Sequence, residues 1–122
     1  MVINKVTLPD LDLAELEVAE RYEQEMQKYT DAIATLSGNN RVEIIRTVCT
    51  ATFALFDGVF GDGTSKKVFG NRTNLVICNK AMSELIDASN KIDKQNSNET
   101  KKIFAKYNPN RAVKIVENEP AN

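Results

Sequence analysis

Three apolar series at helical spacing constrain this chain more than any other feature. Ala19, Tyr22, Met26, Tyr29, Ile33 and Leu36 recur at alternating intervals of three and four. So do Leu75, Cys78, Met82, Leu85, Ser89 and Ile92, and Val42, Ile45, Cys49, Phe53, Phe56 and Phe60 run close to the same spacing. Intervals of three and four place each set on one stripe of an α-helix. A chain with three such stripes can bury them only against one another. The expected class is therefore all-α: a small bundle of three to four main helices, with a short glycine-bounded helix between the second and third. Loose alternation in "MVINKVTL" and the run Val113 to Val116 add short terminal strands to that expectation.

The punctuation between the stripes sets the boundaries. Pro9 and Asp10 close an extended arm over 1–10, and a first helix is expected over 11–37, ended by Gly38. Its first turns are rich in glutamate, which suits the positive end of a helix dipole. Asn39 or Asn40 is placed to cap a second helix over 41–60. That helix is apolar around much of its circumference and carries many β-branched residues. It therefore depends on packing and reads as the central one, with a strand over 42–53 as the competing assignment. Thr73 or Asn74 caps a third long helix over 74–94. "KQNSNET" (94–100) reads as a break or an exposed turn. Ile103, Phe104 and Tyr107 give a short apolar face that Pro109 ends. At 122 residues one domain is expected, over 1–117, with a flexible tail at 118–122.

"LFDGVFGDGTSKKVFG" (55–70) holds four of the five glycines. A nucleotide triphosphate loop needs Lys and Ser/Thr directly after its last glycine, and this stretch has "TSKK" after Gly63. The dinucleotide fingerprint follows a strand, whereas an apolar helix precedes these glycines. Asp57 and Asp62 are too few acids for a calcium loop. The residues fit a rigid elbow. Phe60 ends a helix, Gly61 takes a left-handed position, and "DG" at 62–63 turns the chain. Thr64 or Ser65 starts a short helix, and Gly70 stops it. Phe56, Phe60, Val68 and Phe69 would pack beneath it. The functional alternative is an anion site built from Lys66, Lys67 and the amides of 64–66.

The chemistry-bearing residues are sparse. There is no histidine, so Ser-His and Cys-His nucleophilic pairs are impossible. Cys49 and Cys78 sit in apolar surroundings and read as buried free thiols, with an inter-helix disulfide as the other option. Two cysteines and scattered acids make a poor zinc site. The residues argue for a non-enzyme with no cofactor and no metal. No apolar run approaches the ~18 residues of a membrane span, and "MVINKVTLPDLDL" has no secretory core. The expected setting is the cytoplasm, with no membrane contact.

Charge is divided along the chain. Residues 1–40 carry eight acids against three bases, and residues 41–122 carry nine acids against thirteen bases. This division reads first as a mixed, solvated surface; the alternative is a homo-oligomer in which an acidic helix of one copy meets a basic surface of another. The basic half is too diffuse for nucleic-acid binding.

Residues 54–91, "ALFDGVFGDGTSKKVFGNRTNLVICNKAMSELIDASNK", resemble a recurring segment in small proteins from the tail-morphogenesis region of phages and prophages of Gram-positive bacteria. Phe56-Asp57, Phe60-Gly61, Gly63-Thr64, Lys67-Val68-Phe69-Gly70 and Cys78 carry the likeness. The resemblance implies a tail assembly chaperone working in the host cytoplasm. Such a protein would hold a tape-measure or tail-tube subunit until assembly. A holding protein needs an apolar stripe on a soluble surface. Tyr22, Met26, Tyr29 and Ile33 are the candidate residues for a partner or a second copy, with Leu75, Met82 and Leu85 as a second stripe. Two other classes remain open at this level: a structural component kept in the virion, and a small DNA-binding regulator using 97–111.

Overall fold

The computed structural model of the chain describes residues 1–38 and 40–107. The strand expected at Val113 to Val116 and the tail over 118–122 lie outside the described residues. Residues Met1–Ser89 form one compact unit, and the chain from Asn90 onward belongs to a second.

The fold is all-α apart from a minimal hairpin at the start. β1 (Val2–Ile3) and β2 (Val6–Thr7) pair antiparallel, with Val2 opposite Thr7 and Ile3 opposite Val6. Asn4 and Lys5 form the connection and both hold positive φ, 52° and 64°. That is the twist a two-residue hairpin loop requires, and asparagine tolerates it well. The first ten residues thus fold back instead of forming a simple extended arm. Met1 donates from its amino group to Leu8 O (3.2 Å) and to Asp10 Oδ1 (2.7 Å). The terminal ammonium holds the Asp10 carboxyl below its usual range. Ile3, Leu8 and Leu11 point inward and are buried.

The helices follow in the expected order. α1 (Leu16–Ala34) is shorter than its periodicity predicts. Residues 11–15 turn instead, with Asp12 Oδ1 accepting from Ala14 N and Asp12 O from Glu15 N. An aspartate that bonds the backbone two residues on competes with the first helical turn. At the other end Thr35 Oγ1 donates to Ala32 O.

α2 (Arg41–Phe60) is a helix throughout, so the strand alternative over 42–53 is excluded. Asn40 Oδ1 caps it by accepting from Glu43 N at 3.0 Å. α2 carries most of the core: Val48, Cys49, Ala51, Thr52, Leu55, Phe56 and Val59 are all buried. Thr52 is accommodated because its hydroxyl donates to Val48 O one turn back. α1 packs along α2, and α3 (Thr64–Phe69) packs against the far end of α2.

α4 (Leu75–Tyr107) starts at the expected cap, with Asn74 Oδ1 accepting from Ile77 N at 3.0 Å. It does not break at 94–100. That segment contains no glycine or proline, and Lys, Gln and Glu propagate a helix readily. Thr100 Oγ1 donates to Asn96 O, and Lys102 pairs with Glu99 on the surface. Polarity in this stretch marks solvent exposure and not a helix end.

Candidate partner-binding site

The elbow between α2 and α4 fixes the frame on which any site must sit. Gly61 closes α2 at φ 113°, ψ 157°, a region closed to residues with a Cβ, and its N–H donates to Asp57 O. Gly63 precedes α3 in the left-handed region, and Gly70 follows α3 at φ 61°, donating to Lys66 O at 2.8 Å. Neither Thr64 nor Ser65 caps α3 with its side chain. Thr64 Oγ1 points back to Gly61 O instead.

The cap comes from Asp57, across the turn. Its Oδ1 accepts from Ser65 N at 2.7 Å and its Oδ2 from Ser65 Oγ at 3.0 Å. The carboxylate therefore clamps the end of α2 to the start of α3. It also occupies an amide that the anion-site alternative would need, so the start of α3 is already filled by the protein's own anion. Beneath the turn Phe56 stacks on Phe60 with centroids 5.9 Å apart and meets Phe69 edge-on at 5.3 Å. Phe53 joins from one turn earlier, 5.1 Å from Phe69. The hairpin ties into the same corner: Asn4 Nδ2 donates to Val68 O at 2.8 Å, and Asn4 N to Glu84 Oε1 on α4.

A polar seam crosses the middle of the first unit. Tyr29 on α1 meets Thr52 on α2 and lies near the thiols of Cys49 and Cys78. Burial pushes the Tyr29 phenol above its ordinary value; the contact with Thr52 opposes that shift, and the thiols add to it. Cys49 and Cys78 are both free and fully buried. Burial first, and then the hydrogen bond and repulsion between the two thiols, push Cys78 up to about 12. A thiol held so firmly protonated is a packing group, with little thiolate available at neutral pH. No cluster of metal-ligating side chains occurs among the described residues. Nor is any described helix long and apolar enough to cross a membrane.

The stripe Tyr22, Met26, Tyr29, Ile33 lies on α1 as its spacing predicts, and all four are half-buried. α1 has no fully buried residue. The stripe is divided between two hollows. Tyr29 lines a groove of about 540 Å³ between α1 and α2. The floor of that groove is mostly small: Ala32, Thr47, Thr50, Ala51 and Ala54, with Leu55 behind. Glu25, Lys28 and Arg46 stand at its lining as well. Tyr22 and Met26 instead line a shallow hollow of about 450 Å³ with Glu23, Gln27 and Thr30. Ile33 lies one turn beyond Tyr29. On the second stripe, Met82 and Leu85 are buried and Leu75 is half-buried, so that series is core.

Two features of the site escape the periodicity. Gly58 sits where a Cβ would run into the Glu25 side chain, so this glycine leaves room for that side chain to lie against α2. Of the small residues lining the groove, Ala32 lies on α1 and Ala51 on the apolar face of α2, while Thr47, Thr50 and Ala54 fall outside the apolar series of α2. Small side chains admit the backbone of another helix, and the charged residues around them give direction to a polar face. The arrangement suits binding of an amphipathic helix.

No curated protein and no solved structure shows detectable similarity to this chain. Residues 4–118 match a family of unknown function, DUF6673, and the chain belongs to that family.

Proposed function

We propose that the protein is a non-catalytic binding module that holds an amphipathic helix of a partner in the groove between α1 and α2. The observation that carries this reading is the state of α1. An apolar-striped helix packs on α2 without fully burying any of its own residues. It leaves a groove with a small-residue floor and charged residues around it. The likeness of residues 54–91 to small phage proteins supplies the setting: a tail assembly chaperone of a phage or prophage, acting in the host cytoplasm. The partner class is a long helical tape-measure protein or a tail-tube subunit, held back from premature assembly.

The test is affinity capture from prophage-induced cells with the wild-type chain and with Ala54→Arg. Ala54 is exposed and lines the groove, so arginine there fills it without disturbing the core. The wild type should retain a tail protein that the variant releases. Capture of no tail protein by the wild type removes the chaperone reading. Finding the chain itself in purified particles would make it a virion component instead.

A further inference from the structure

We propose that the protein forms a two-fold dimer in which residues 90–107 of one copy lie against α1 of the other, over the hollow lined by Tyr22 and Met26. This proposal is independent of the α1–α2 groove. Residues 90–107 continue α4 as helix and carry Lys91, Lys94, Lys101, Lys102 and Lys106 against Asp93 and Glu99. Ile103 and Tyr107, one turn apart, keep 62% and 89% of their surface exposed. α1 is the opposite in charge: Glu17, Glu20, Glu23, Glu25 and Asp31 against Arg21 and Lys28. Half-buried Tyr22 and Met26 line the hollow beside Glu23, Gln27 and Thr30. Both are side chains that adapt to an incoming apolar group.

The two surfaces match in sign, in length scale and in apolar content. Pairing two copies through residues 90–107 alone would set five lysines against five. Placing that segment on α1 sets a net positive helix against a net negative one. The near-neutral whole chain adds no general repulsion between copies. A two-fold arrangement satisfies both surfaces of both copies at once and closes without leaving an edge for further growth. The occupant is therefore a second copy of this chain.

Sedimentation of the full chain with two charge-reversed variants tests the proposal. Glu20, Glu23, Lys102 and Lys106 are exposed, so Glu20→Lys with Glu23→Lys, and Lys102→Glu with Lys106→Glu, leave the core intact. The wild type should be a dimer at low salt, with Kd rising about tenfold or more on going to about 500 mM salt. Each variant alone should dissociate at least about tenfold more readily than wild type. An equimolar mixture of the two should dimerise again, because both contacts of the mixed dimer then regain opposite charge. A wild type that stays monomeric up to about 200 μM overturns the proposal. So does a dimer indifferent to both variants, or a mixture that fails to recover. These outcomes are read without any other protein present, so they stand apart from the capture experiment.

Discussion

The Tyr22 hydroxyl of α1 donates to Ser89 Oγ of α4 at 2.9 Å, and Ser89 Oγ in turn donates to Ile86 O at 2.9 Å. This short relay fixes α1 to the last turn of α4 inside the first compact unit, and it explains why a serine can be buried at a core position. Tyr22→Phe removes one link and leaves Ser89 its bond to Ile86 O, so a loss of about 0.5–1.5 kcal/mol is expected. Ser89→Ala should cost a similar amount, and the double variant less than the sum. Urea denaturation of the four proteins measures the coupling. Strictly additive losses would show that the pair is not an energetic link.

The glycine turn makes a second prediction, about backbone alone. Nothing lies within 4 Å of a Cβ built at Gly61, Gly63 or Gly70, so any cost there is conformational and not steric crowding. Gly61→Val and Gly70→Val should each lose about 1–3 kcal/mol. Gly63→Asn should lose less, since its φ of 89° and ψ of −9° lie near a region asparagine visits. Melting temperatures rank the three. Unchanged values for both valine variants would mean that the turn does not hold these dihedrals in solution.

Asp57 should be worth more than its place in a turn would suggest. Asp57→Ala removes both acceptors from Ser65 and leaves the start of α3 uncapped, for an expected loss of about 1–2 kcal/mol. Asp57→Asn keeps one acceptor oxygen and should retain part of it. On a domain of this size that is a fall of several degrees in Tm for alanine. Equal melting of alanine and wild type would sink the clamp.

Alkaline pH should weaken the fold through the buried Cys78 thiol. The folded-state value of Cys78, about 12, lies above its ordinary 9.0. The folded chain thus holds this proton more tightly than the unfolded chain does. The stabilisation is complete below pH 9 and drains away as the pH rises from 9 towards 12. Tyr29, raised from 10.0 mainly by burial, acts in the same direction. Denaturant midpoints measured from pH 8 to 11 should fall, and Cys78→Val should flatten that fall. Native protein should also resist thiol reagents at neutral pH, with both cysteines reacting only on unfolding.

Much of this architecture is readable from local signals because local physics produces it. Asn40 and Asn74 cap through atoms three residues from the amides they satisfy. The elbow glycines mark positive φ by their side-chain absence alone. The stripes at intervals of three and four place Cys49, Phe56, Cys78 and Leu85 in the core. Two local signals mislead. Asp12 shortens α1 by competing for its first amides, and the polar run 94–100 looks like a break although it holds neither glycine nor proline.

The candidate site is a different matter. Spacing puts Tyr22, Met26, Tyr29 and Ile33 on one stripe of α1, and it cannot say how far α2 and α4 cover that stripe. The packing assigns Tyr29 to the groove and Tyr22 to a separate hollow. The groove takes its lining from two helices, Tyr29 and Ala32 on α1 and Thr47, Thr50 and Ala54 on α2, and the last three lie outside the apolar series of α2. Asp57 and Ser65 meet only because the elbow reverses the chain. The helices, their caps and their inward faces arise from interactions within a few residues and so can be read along the chain. Which apolar atoms stay uncovered depends on neighbours brought together from distant parts of the chain, and only packing sets that.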